Sequence, residues 1–269
     1  MAVGLYFLLR KKSKKTSFIV LFAVLLLSFV LHFLKLFFEP YQSWMPWAIR
    51  TVTFENICAV SVLLFPWFFL SKKKILKDYM FYMGMMSGLA ATFIPIDVID
   101  RPPFEFETMR FYFAHIMIWV VPLLMVILKL HRLDYKRIPK APFILYLVMC
   151  IILVNEIILI GTGFVHISHL FSNEIRNSAL IFGPLAEVEV LGRFFTALTP
   201  NIFMTIPIGP NAGAVFYWPI IWLIIPSFIL FCTVGFLMAL PFEFVNLKQD
   251  MLALKARVKK YTIIKKETV

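Results

Sequence analysis

Long apolar runs alternate with short basic or polar interruptions along the whole chain. A membrane-spanning helix needs about 20 mostly apolar residues. Six windows meet that need, over approximately residues 17–38, 54–70, 78–97, 109–130, 143–165 and 216–240. Several are rich in Phe, Leu and Ile throughout, and no internal repeat relates them. The pattern predicts an all-α polytopic membrane protein, a six-transmembrane-helix bundle occupying residues 1–240. The second window is the shortest and opens on Glu55 and Asn56, so its end is expected to sit in protein or water, not lipid.

Residues 166–214 form a connection far longer than usual, and loops of such length are often functional. It carries His166, His169, Glu187, Glu189 and Arg193. Its part from Val188 to Met204 is apolar enough to lie on or dip into the membrane, while Pro200, Pro207 and Pro210 break any continuous helix. A lid or re-entrant segment is expected there. Residues 241–269 read as a basic amphipathic cytoplasmic tail. Leu247, Met251, Leu254, Val258 and Tyr261 recur at spacings of four and three, with Lys255, Arg257, Lys259 and Lys260 between them. Such a tail suits anionic lipid head groups, at about 1 kcal/mol per basic residue near the surface.

Composition sharpens the class: 61% of residues are hydrophobic, against about 45–50% in soluble proteins. A net charge of +12 in a soluble domain would suggest nucleic acid, but here the basic residues sit in short blocks between apolar runs. They set topology instead, and no nucleic-acid partner is expected. Counted by compartment, Lys and Arg divide 21 to 6, which puts both termini on the cytoplasmic side. A multi-pass plasma-membrane location follows as the expectation. The basic front from Arg10 to Lys15 resembles that of a signal peptide, but the apolar run after it is too long and lacks a small-residue cleavage site. It reads as an uncleaved first helix. Cys58, Cys150 and Cys232 form no CxxC pair or disulfide framework and are expected to be free thiols.

Ionisable groups inside a span are costly and mark candidate sites. The inward-running second and fourth spans put Cys58 and His115 about four and six residues below their outer ends, roughly 6–9 Å at 1.5 Å per residue. His32, Asp97, Asn155 and Glu156 fall in the same half, with Glu55 and Asn56. Glu55 and Cys58, three residues apart, share one helix face. A thiol needs a nearby base to become a nucleophile, and His115 is the candidate. With Asp97 or Glu156 orienting the imidazole and Asn56 donating to an oxyanion, the set suits acyl transfer through a thioester.

Each residue also has a plainer reading. A buried free cysteine is usually a small hydrophobe. His115 could be hydrogen-bonded within the bundle, and Asp97 could pair with Arg101 or Arg110. An unpaired charge at Glu156, near mid-span, would cost several kcal/mol, roughly as insertion scales give it, so it is protonated, paired or functional. His32, His115, His166 and His169 lack the close spacing of a metalloprotease motif, so neither metal nor cofactor is expected.

The run Glu55-Asn56-Ile57-Cys58 resembles the short polar helix start of the YwaF-like family of bacterial integral membrane proteins, although Asn56 stands where that family has histidine. Phe93 to Asp97 resembles its Thr-Pro-Asp-like close of the third span, and Phe113-Ala114-His115 its histidine in the fourth. Asn155, Gly161-Thr162-Gly163 and Tyr217-Trp218-Pro219 are similar to later motifs, with the second asparagine missing. Eukaryotic relatives of that family include multi-span acyltransferases acting on ether phospholipids. The resemblance implies an acyl-transfer centre of Cys58 and His115, supported by Glu55, Asn56, Asp97, Asn155 and Glu156. The expected activity moves a fatty acyl group from an outer-leaflet phospholipid to a lipid or lipoprotein acceptor. The rival is a non-enzymatic solute-binding or transport subunit, or an assembly factor, in which Glu55, Asp97 and Glu156 bind a ligand or couple to protons.

Overall fold

The computed structural model describes residues 2–169, 178–185 and 189–267. Among the described residues there is no β-strand, only an isolated antiparallel bridge between Thr205 and Val215. The helices are α1 (Ala2–Leu9), α2 (Lys14–Leu34), α3 (Ile57–Leu70), α4 (Lys74–Met83), α5 (Leu89–Phe93), α6 (Phe106–Ile127), α7 (Ala141–Gly161), α8 (Glu189–Leu198) and α9 (Ile224–Glu267).

All six apolar windows become helical, but they are not equivalent. Among the described residues four helical stretches are long and apolar enough to cross a membrane: Lys14–Phe37, Phe106–Ile127, Tyr135–Gly161 and Ile221–Val258. The other two fall short for different reasons. Helix α3 has only 14 residues, roughly 21 Å at 1.5 Å per residue against a hydrocarbon core of about 30 Å. In the third window a π-helical turn at Gly84–Gly88 joins α4, of 10 residues, to α5, of 5, with helical backbone throughout. That turn lies where the chain meets α6 most closely. A Cβ on Gly84 would collide with the Ile118 carbonyl, and one on Gly88 would stand 2.9 Å from the carbonyl of His115. Two glycines four residues apart let the helix backbones touch, as small residues do between membrane helices.

Helix α6 is the centre of the bundle: 67% of its most apolar window is buried, against 28% for α2. Helix α2 buries one stripe, Ser17, Leu21, Leu25, Ser28 and His32, while Ile19, Leu27 and Val30 face outward. Spacings of four and three put these five on one face. Its start is set by Ser13, whose Oγ accepts from the Thr16 amide at 3.1 Å. The short helix α1, ahead of the basic block, is not foreseen from the pattern, yet Leu9 is only 1% exposed and α1 touches α6.

One end of the bundle is tied by charge. Asp78 on α4, fully buried, accepts from His131 Nε2 at 2.7 Å and from Arg137 Nε at 2.5 Å and Nη2 at 3.1 Å. Tyr135 Oη donates to Asp250 at 2.6 Å and Lys136 pairs with the same carboxylate at 2.5 Å. These basic loop residues thus bind two helices as well as biasing topology. Helix α9 runs unbroken through position 240, with Pro241 inside it. Its 44 residues span roughly 66 Å, so its last part projects beyond any bilayer core. Met251, Leu254 and Val258 are exposed there.

At the opposite end, the described part of the long connection is packed down. Phe195 of α8 meets Trp222 with ring centroids 6.2 Å apart, and Thr199 Oγ1 donates to the Trp222 carbonyl at 2.8 Å. Helix α8 ends before Pro200, as the missing proline amide requires. Glu187 and Val188 lie outside the described residues.

Candidate functional site

A cavity of about 550 Å³ opens between the loop before α3, the end of α2 and the first turns of α6. Cys58, His115, Glu55, Asn56 and Asp97 all line it. Asn155 and Glu156 do not. The Asn155 amide donates to Thr53 Oγ1 at 3.0 Å and ties α7 to the loop leading into α3. Glu156 is buried one residue on.

The chain enters α3 through Asn56, whose backbone is extended. Asn56 Oδ1 accepts from the Ala59 amide at 2.8 Å, and its carbonyl accepts from the Val60 amide at 2.9 Å. This is a helix N-cap. Cys58 is therefore the second residue of a helix, not four residues below its outer end as the sequence window suggests. The first amides of any helix lack intrahelical acceptors. Here those of Ala59 and Val60 are taken, while those of Ile57 and Cys58 have no protein acceptor among the described residues. A helix start also favours negative charge. Beside the thiol, two N–H donors stand ready for a developing oxyanion.

His115 sits on α6, with its ring against Phe111 at a centroid distance of 4.0 Å. Its Nδ1 lies 2.8 Å from the Phe111 carbonyl. A carbonyl only accepts, so Nδ1 carries the hydrogen and Nε2 keeps its lone pair. The orienting partner is thus the backbone one turn earlier, and not Asp97 or Glu156. Nor does Asp97 pair with the two arginines considered for it. Arg101 reaches Glu105 at 3.5 Å, and Arg110 makes a two-pronged pair with Glu107.

Several lining residues carry more weight than their sequence positions suggest. Tyr41 Oη donates to Glu107 Oε1 at 2.7 Å. Burial, followed by the Glu107 carboxylate, pushes the phenol above its usual range and keeps it protonated. Lys35 is 5% exposed, donates to the Thr51 carbonyl at 2.7 Å and stands 4.9 Å from the Tyr41 ring centroid. His32, 4% exposed, leaves Nε2 without a hydrogen-bond partner among the described residues. In sequence, Lys35 is only one charge in a topology count, and Arg110 enters beyond it only as a possible partner of Asp97. The one legible signal was Glu107 and Arg110 at i, i+3 on a helix. No group of three or more metal-ligating side chains occurs among the described residues.

Two further spaces adjoin this cavity. A cleft of about 840 Å³, bordered by Trp47, His166 and His169, shares Trp44 and Thr51 with it. A smaller space of about 250 Å³ shares Ile57 and Ala179 and is almost wholly apolar. The cleft is larger but no cysteine lines it.

No curated protein and no solved structure matches the chain. Residues 1–186, which include Cys58, His115 and the loops that form the cavity, match the model of the TMEM164 family. With more than half of its length matched, this transmembrane chain belongs to the TMEM164 family.

Proposed function

We propose that this protein is a membrane acyltransferase that carries a fatty acyl group on Cys58. The reading rests on one observation above others: a thiol in the first turn of α3 lines the same cavity as a histidine whose Nε2 lone pair is free. Cys58 Sγ attacks the carbonyl carbon of a phospholipid ester, and its proton passes to His115 Nε2. The oxyanion takes hydrogen bonds from the Ile57 and Cys58 amides and from the Asn56 side-chain amide. Collapse breaks the ester C–O bond, and the departing lysophospholipid oxygen takes the proton back from His115. An acceptor hydroxyl or amine then gives a proton to the same nitrogen and attacks the thioester, which frees the thiol. Neither metal nor cofactor enters this sequence.

The wider reading comprises six spans, cytoplasmic termini, a plasma-membrane location, a donor in the outer leaflet and a lipid or lipoprotein acceptor. Kinship with YwaF-like proteins belongs to it as well. The mix of Lys35, Arg101 and Arg110 with Glu55, Asp97 and Glu107 in the cavity wall suits a polar head group. Transport is less well supported, because the Ser87 and Thr92 hydroxyls donate to the Met83 and Gly88 carbonyls instead of lining a polar path.

The test is labelling in membranes with a lipid-like acyl probe. A hydroxylamine-sensitive adduct on Cys58 is expected, absent in Cys58→Ser, greatly reduced in His115→Ala and retained in Cys150→Ser. Equal loss in all three variants, or no adduct on the native chain, overturns the assignment.

A further inference from the structure

Interiors of folded proteins contain few voids larger than a water molecule, yet about 250 Å³ stays open between α4, α7, α8 and α9. The walls are Met83, Met86, Met149, Phe195, Leu223 and Phe231. Met83, Met149, Phe195, Leu223 and Phe231 are buried, whereas Ile57, Met86, Leu180, Leu191 and Leu230 are half-buried, so the space is an open cleft among the helices. An apolar space of this kind stays dry, since water needs two or more polar partners.

Its position matters more than its size. Ile57, the neighbour of Cys58, and Ala179 form walls of both this space and the polar cavity. Ser87 lines the apolar side, while Cys58 lines the polar one. The thiol therefore stands at the junction of a polar chamber and an apolar one.

We infer that this apolar chamber is the binding site for the hydrocarbon chain of the acyl group that Cys58 carries. The inference rests on the acyl-transfer reading and adds where the chain goes. An ester whose carbonyl sits at Cys58 then has its head group among Lys35, Tyr41 and Arg110 and its tail among methionines and Phe231. Unbranched methionine side chains adapt to a flexible chain at little cost. Leu191 and Phe195 put α8 in its wall as well.

The test uses the full-length chain in nanodiscs containing phosphatidylcholine with a diazirine at the end of one acyl chain. Irradiation and peptide mapping read where the tail lies. Cross-links on Met86, Met149 or Phe231 are expected in the native protein and equally in Cys58→Ser, because binding precedes chemistry. Cross-links confined to outward-facing residues such as Leu147 and Ile157 overturn the inference. A second arm narrows the chamber with Ser227→Phe. This variant is expected to lose acylation of Cys58 by long-chain probes while keeping that by a short-chain probe, and equal labelling by both overturns the inference. Chamber cross-links without any Cys58 adduct separate failure of the chemistry from failure of the binding site.

Discussion

The backbone of Gly88 meets the backbone of His115 so closely that a methyl group on the glycine would stand 2.9 Å from the histidine carbonyl. This contact sets the depth of His115 relative to the π turn. It also places the imidazole on the same cavity as Cys58 without any direct bond between the two side chains being required.

Substituting this glycine tests that relationship. Gly88→Ala is expected to destabilise the protein by about 1–3 kcal/mol through overpacking and to slow acylation of Cys58. Gly161→Ala, at a site with nothing within 4 Å, serves as control. Thermal unfolding and probe labelling read the two effects, and unchanged labelling in Gly88→Ala argues that the depth of His115 is immaterial.

The two jobs of Asn56 can be separated by chemistry. Asn56→Ala removes the cap and is expected to cost about 1 kcal/mol. Asn56→Asp keeps the capping oxygen but loses the amide donor. Stability close to native with labelling slowed about a hundredfold is expected if the side chain also donates to the oxyanion. Native labelling rates in Asn56→Asp reduce the residue to a cap.

His32 offers a contrast within the same cavity. Its unpartnered Nε2 is not the proposed base, so His32→Ala should retain a hydroxylamine-sensitive adduct on Cys58. Loss of His115 should cost about 10²–10⁴ in rate. If His32→Ala matches that loss in single-turnover labelling, the base has been misassigned.

Asp78 concerns stability and not chemistry. It holds His131 and Arg137 in full burial, and removing one partner of a buried charged set costs about 3–5 kcal/mol. Asp78→Asn is expected to lower the unfolding temperature strongly while leaving the acylation rate per folded molecule unchanged. A native melting profile would show that the network contributes little.

The apolar windows were enough to place six helical regions, since lipid-facing sequence has to be apolar nearly all round whatever the bundle's arrangement. Membership of a membrane class, the order of the helices and the rarity of Cys58, His115, Glu55, Asn56 and Asp97 in such surroundings were all legible in the chain itself. Their convergence on one cavity was not, because periodicity reports which face a residue occupies but not which helix that face meets. Sequence also misjudged how the second helix begins: an asparagine cap starts it at Ile57 and leaves Cys58 beside unsatisfied amides. Asn155 appeared equivalent to the cavity residues, yet its hydrogen bond to Thr53 spends it on joining two elements. The hydrogen bond from Tyr41 to Glu107, the burial of Lys35 and the apolar chamber beside Cys58 were decided only by tertiary packing. Each depends on segments distant in the chain meeting, and no local pattern encodes that meeting.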